Sequence, residues 1–112
     1  MGLWRDVIDA ALDDQTRRSI KEQIAWLESE PSNPRPYHQL AQLLRMQQRQ
    51  EEALGLLLEA IRLDPAFAPA HAALAEIYAV RDDMDAARRH ADAAAANGDP
   101  RARQMLARHT HR

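Results

Sequence analysis

The chain has 112 residues, no cysteine and a formal net charge of -2 at pH 7. This length suits one domain with a core of its own, and the absence of cysteine excludes disulfides and thiolate metal sites. The near-neutral balance argues against a general polyanion-binding protein.

Two further features bear on where the chain works. Its apolar runs are far shorter than the roughly 20 residues that a membrane-spanning helix needs. The start lacks the basic and apolar regions of a secretory signal, and Asp6 breaks the myristoylation pattern. A soluble, cytoplasmic protein without membrane insertion is therefore the default expectation.

Helix-forming residues dominate the chain, and no segment alternates apolar with polar residues as a strand would. Six prolines divide the sequence into blocks, and the apolar residues of each block fall on one helical face. Asp64-Pro65 is a firm boundary because the residue before a proline disfavours the helical conformation. In chain order, helices are predicted at about residues 3–13, 16–29, 34–46, 50–63, 68–80, 84–96 and 101–109.

The turns between these helices carry recognisable capping residues. Asp13-Asp14 and Asp82-Asp83 are interpreted as solvated caps near helix N-termini rather than as catalytic carboxylates. Before the last helix, Gly98 suits a left-handed cap, Asp99 a helix cap and Pro100 a first helical turn.

The third to sixth predicted helices form two pairs with the same internal spacing. The inward residues of the first pair recur 34 positions later, so that Tyr37, Leu40, Ala41 and Leu44 correspond to His71, Leu74, Ala75 and Tyr78. Small residues allow the helices of a pair to approach closely, and large ones fill the space between pairs. A unit of this kind must stack on another to bury its apolar face.

This period and its aromatic–Leu–small–aromatic skeleton resemble the tetratricopeptide repeat family. The resemblance implies an all-α, right-handed superhelix of helical hairpins, with about seven helices in one domain over residues 1–112. Residues 33–66 and 67–100 would be repeats, residues 1–32 a divergent N-terminal helical pair and residues 101–112 a C-terminal capping helix.

The N-terminal pair departs from the family pattern in two respects. Ile8 and Ile20 are bulky where the family has small residues, and no Gly or Pro marks the turn near Asp13. The divergent repeat is favoured, and the alternative is that the first two helices fuse into one longer rod.

The resemblance also implies a concave groove, lined by the first helix of each pair, that receives a peptide or helix. Carried over position by position, it predicts these groove residues: Arg35, His38, Gln39, Gln42, Arg45, Met46, Pro69, Ala72, Ala73, Glu76, Ala79 and Val80, with Arg5, Asp6, Asp9 and Asp13 from the divergent pair. The alanines would leave room for a large ligand side chain, and arginines could pair with ligand carboxylates. For any single residue, the alternative is an ordinary solvated helix position.

One subtype of the family is not expected. The clamp that holds acidic chaperone tails uses Lys or Arg and Asn at particular groove positions. Here His38, Gln42 and Ala73 occupy those positions, and the asparagines are missing. We therefore expect a partner other than a chaperone tail.

Trp26 is the remaining candidate for a partner contact. It lies off the apolar stripe of its helix, which suggests either an interface anchor or a side chain folded over a neighbouring helix or the Pro31 loop. His109 and His111 form an H-x-H pair, but no further histidines are spaced to complete a metal site, so no metal is predicted.

The sequence contains no phosphate-binding loop, no nucleophile–base motif and no cofactor motif, so no catalytic residues and no cofactors are predicted. The Arg-rich end lacks interleaved aromatics, so nucleic acid is not an expected partner. We predict a non-enzymatic protein–protein interaction module that holds a peptide or helix of another protein in its groove, or docks as an accessory subunit. The alternative is a self-assembling structural protein that homo-oligomerises through its N-terminal helices.

Overall fold

The computed structural model describes Ile8 and residues 13–110, without the side chains of residues 109 and 110. The described residues form six α-helices: α1 (Asp14–Ser29), α2 (Pro34–Met46), α3 (Gln50–Leu63), α4 (Ala68–Val80), α5 (Met84–Ala96) and α6 (Arg101–Thr110). The all-α fold is thus confirmed. The predicted helix over residues 3–13 lies outside the described residues, apart from Ile8, which is helical, and Asp13.

Local capping explains where several of these helices begin. Asp13 has an extended backbone (φ -140°, ψ 163°), and its carboxylate accepts a 2.7 Å hydrogen bond from the backbone N–H of Thr16. Asn33 and Asp83 cap α2 and α5 in the same manner. Because the chain is not helical at Asp13, the alternative of one continuous rod through this position is wrong.

The helices pack as successive hairpins. α2 pairs with α3, and α4 pairs with α5, while α1 lies against α2 and α3 lies against α4. The predicted inward residues Leu40, Ala41, Leu74 and Ala75 are all fully buried. Each hairpin therefore buries its apolar face against the next one, as the repeated spacing predicts.

The last helix covers the far end of this stack. α6 contacts both α4 and α5. Ala102 and Leu106 join a small core with Ala75, Ala87 and Ala91. α6 thus seals the apolar surface that the second hairpin would otherwise leave exposed.

Three hairpin turns use a left-handed residue to reverse the chain. Gln48 (φ 65°) and Asp82 (φ 64°) occupy equivalent positions in the two repeats, and Gly98 (φ 98°) closes α5. In each turn the following backbone N–H donates to a carbonyl five residues earlier, at 2.8 to 2.9 Å. Sequence reasoning anticipated this conformation only at Gly98, because only glycine adopts it without strain.

The ring at the fourth position of each repeat has a polar role as well as a packing one. Tyr37 donates its hydroxyl to the carbonyl of Pro31 at 2.9 Å, and His71 Nε2 lies 2.8 Å from the equivalent carbonyl of Pro65. A carbonyl only accepts, so His71 carries its proton on Nε2. Each ring therefore ties the first helix of its hairpin, α2 or α4, to the loop before it, and these two helices are called the leading helices.

The buried His71 has a second partner on the neighbouring helix. Its Nδ1 lies 3.0 Å from Nδ1 of His90, and with a proton on Nε2 and an acceptor at Nδ1 the His71 ring receives this hydrogen bond from His90. The His90 ring also stacks on Tyr78, with centroids 5.6 Å apart and an interplanar angle of 8°. Burial is the main cause of the lowered pKa of His90.

The two described glycines provide a matched pair of stability predictions. A methyl group would meet nothing within 4 Å at Gly55, in the exposed interior of α3, or at Gly98, so steric clash is absent from both. Gly55→Ala should raise the free energy of unfolding by about 0.5–1 kcal/mol, whereas Gly98→Ala should lower it by roughly 1–2 kcal/mol because of its positive φ. Urea unfolding followed by circular dichroism measures both, and changes of the same sign would contradict the left-handed turn.

The lowered pKa of His90 predicts that acid destabilises the fold. An unfolded chain takes up this proton near pH 6.5, above the pKa of His90 in the folded protein, so the contribution of His90 to stability is constant above that pH and falls below it. His90→Gln keeps an N–H donor for His71 and removes one titrating group. Its free energy of unfolding should therefore fall less than that of the wild type between about pH 8 and pH 5, and an equal fall would refute the role of His90.

Candidate functional site

A concave pocket of about 460 Å³ lies where α2, α4 and α6 meet. Its lining residues come from both leading helices, from the turn before α6 and from α6 itself: His38, Gln42, Pro69, Ala72, Ala73, Glu76, Asp99, Arg101, Ala102, Met105 and Arg108. We call this the main pocket. Six of these residues are among the predicted groove residues, so the fold brings part of the predicted set together.

A second depression adjoins the main pocket. It has a volume of about 330 Å³ and is lined by Gln42, Arg45, Met46 and Gln50. We call it the side pocket. Because Gln42 lines both pockets, they are neighbouring parts of one surface, and the two together are called the groove.

The floor of the main pocket consists of three alanines and one methionine, so it is apolar and mostly built from small side chains. Ala73 and Ala102 are each 4% exposed, and Ala72 and Met105 are half-buried. Alanine methyl groups leave the helices' surfaces open where larger side chains would fill the space. The floor therefore offers apolar contact to a side chain that enters from outside.

On the rim between the two hairpins, charged groups are already paired. Arg45 Nη1 lies 3.1 Å from Glu76 Oε1, and the same nitrogen donates to Gln42 Oε1 at 3.2 Å. This ion pair joins α2 to α4. A ligand carboxylate that approached Arg45 would have to compete with Glu76.

A second pair lies where α6 begins. The carboxylate of Asp99 accepts from Arg101 Nε and Nη2, both at 2.9 Å, and from the backbone N–H of Arg101 at 3.2 Å. Hydrogen bonding to the Arg101 guanidinium lowers the pKa of Asp99. Asp99 thus caps α6, and its charge is neutralised by the first residue of that helix.

His38 supplies a neutral polar group to the main pocket. Burial lowers its pKa, and the nearby charge of Arg45 lowers it further. The ring lies edge-on to Phe67, with centroids 5.9 Å apart. At neutral pH the imidazole is therefore uncharged and can donate or accept one hydrogen bond.

Several predicted groove residues lie outside the main pocket. Arg35 and Gln39 are exposed on α2 and line neither pocket, and Ala79 packs against the small core under α6. Met46 and Val80 are 76% and 86% exposed at equivalent helix ends, and Met46 lines the side pocket. Val80 lines neither pocket.

Of the four groove residues predicted in the N-terminal pair, the structure describes only one. Arg5, Asp6 and Asp9 lie outside the described residues, and Asp13 caps α1. Trp26 is half-buried on α1 and lines neither pocket. The first predicted helix, which the self-association alternative invokes, lies outside the described part of the chain apart from Ile8 and Asp13.

Sequence reasoning missed the part that α6 plays in the groove. This helix was expected only to cap the array, yet Arg101, Ala102, Met105 and Arg108 line the main pocket. Arg101, Met105 and Arg108 are spaced at i, i+4 and i+7, which places them on one helical face. That spacing was the available signal, but it does not reveal which neighbour the face meets.

Among the residues whose side chains the structure describes, no group of three or more His, Asp or Glu converges as a metal site requires. Within the same residues, no helix is both long and apolar enough to cross a bilayer. The polar groups of the groove are thus an imidazole, amides and paired charges around an apolar floor. Such an arrangement suits recognition of another molecule's side chains.

Comparison with known proteins agrees with this architecture. A tetratricopeptide repeat family model matches residues 11–89, which is well over half of the chain. No curated protein and no solved structure gave a significant match. The chain belongs to the tetratricopeptide repeat family, whose members are in general protein–protein interaction modules.

Proposed function

We propose that this protein is a non-enzymatic interaction module that holds a peptide or helical segment of a partner protein in its groove. The supporting observation is the main pocket, in which the leading helices of successive hairpins and α6 surround an apolar floor with a polar rim. An extended or helical segment can place one apolar side chain on this floor while its backbone meets Gln42 and His38 on the rim.

The adjoining surface extends the contact beyond one side chain. The side pocket adjoins the main pocket at Gln42, and its lining includes the exposed side chain of Met46 at the end of α2. Exposed apolar groups beside a polar rim are typical of docking surfaces. Binding as an accessory subunit of a larger assembly would use the same surface, with a folded partner in place of a peptide.

The proposal predicts that filling the groove abolishes partner capture. Gln42 is exposed and lines both pockets, so Gln42→Trp should obstruct the groove without disturbing the core. Captured partner, measured by quantitative mass spectrometry after affinity purification from the native cell, should fall by about tenfold or more, as expected for loss of a central contact.

Gln15→Trp is the matched control, because it places the same side chain at an exposed position of α1 that lines neither pocket. Circular dichroism should show that both variants retain the helical fold. Equal capture by the wild type and Gln42→Trp, or an equal loss with Gln15→Trp, would show that the partner binds elsewhere.

A further inference from the structure

The C-terminal helix contributes almost half of the main pocket's lining, counting Asp99 before it. We propose that the face of α6 that lines the main pocket, here called the wall, determines which partner segments the groove accepts. Arg108 on this wall makes the groove prefer an acidic segment in which an apolar side chain lies next to a carboxylate. This inference rests on the proposed function and specifies the chemistry of the partner.

The wall is held in place by the core. Ala102 and Leu106 are 4% and 5% exposed and pack with Ala75, Ala87 and Ala91, while Asp99 caps the start of the helix. A face fixed in this way loses little conformational freedom when a ligand binds. Arg108 is therefore presented from a helix whose position does not depend on the partner.

The charges around the main pocket leave one cation without a counter-charge. Glu76 is paired with Arg45, and Asp99 is paired with Arg101. Among the described residues, no carboxylate forms an ion pair with Arg108, which is exposed and lines the pocket. The charged residues that line the main pocket are two carboxylates and two arginines, and Arg45 of the adjoining side pocket gives the groove as a whole a net positive charge, whereas the whole chain carries -2.

This local excess of positive charge selects for an anionic group. A guanidinium in a concave, partly apolar site binds a carboxylate through charge-assisted hydrogen bonds and also steers acidic segments toward the site. Arg45 is less suitable as the main binding group for a ligand carboxylate because it already forms an ion pair with Glu76. Arg108 requires no such displacement.

The apolar floor defines the second feature of the partner. The main pocket has a volume of about 460 Å³, which lies within the usual range for ligand pockets. On its floor, Ala72, Ala73 and Met105 present uncharged, apolar groups to an entering side chain. A segment that carries an aliphatic residue beside Asp or Glu would fill the floor and reach Arg108 at once. A purely acidic segment would leave the floor unfilled, and a basic one would meet Arg108 with like charge.

The experiment uses fluorescein-labelled pools of short peptides with a fixed central leucine. The flanking residues are drawn from Asp, Glu, Ser and Gly in the acidic pool, from Ser, Gly, Asn and Gln in the neutral pool, and from Lys, Arg, Ser and Gly in the basic pool. Fluorescence anisotropy measures binding to the full chain. The acidic pool should bind about tenfold or more tightly than the others, and the difference should shrink in high salt.

Variants on α6 assign the preference to Arg108. Arg108→Gln should remove most of the preference for the acidic pool, and Arg108→Lys should restore much of it because the charge is retained. Arg103→Gln is the matched control, since Arg103 lies on the other face of the same helix, paired with Asp92 at 3.1 Å, and should leave binding unchanged.

Each remaining outcome counts against a specific statement. Equal binding of the acidic and neutral pools, tighter binding of the basic pool, or equal effects of Arg103→Gln and Arg108→Gln would overturn the inference about Arg108. The proposed function would survive these results if Gln42→Trp still abolished binding. Failure of all pools to bind the wild type would count against the groove itself, and hence against both proposals.

Discussion

The close approach of paired helices through alanine is the interaction on which the molecule depends. Ala41, Ala53, Ala75 and Ala87 are all fully buried, and they stand at the equivalent small positions of the two hairpins. A methyl group at these positions allows the backbones to approach and brings Leu40 and Leu74 into contact with neighbouring helices. A single hairpin of this kind leaves one apolar face uncovered, so the stack exists only because each unit covers the next.

This stacking determines where the groove lies. Because the hairpins repeat with the same orientation in sequence, α2 and α4 lie on the same side, and the open end of the stack is closed by α6. α6 therefore satisfies a packing requirement through Ala102 and Leu106, and it also borders the groove through Ala102, Met105 and Arg108. The capping helix and the binding surface are two sides of one element.

The polar contacts matter more for the character of the groove than for the stability of the fold. Exposed ion pairs such as Arg45–Glu76 contribute little net free energy of folding. They nevertheless decide which charges remain for a partner, since a paired arginine must exchange one carboxylate for another. The buried His71 acts differently: both of its ring nitrogens are satisfied, by Pro65 and His90, so it replaces the tyrosine of the preceding repeat without leaving an unpaired polar group.

Local sequence by itself determined the fold class and the six described helices, with boundaries within two residues, because proline positions, capping residues and a strict period act over a few residues and need no tertiary context. It also identified Leu40, Ala41 and Leu74 as inward-facing, since the repeat spacing requires it. Only the tertiary structure decided that Arg45 forms an ion pair with Glu76, that His71 and His90 share a hydrogen bond, and that Arg108 borders the groove. Each of these depends on the angle and offset at which one helix meets another, and those follow from the packing of the whole stack.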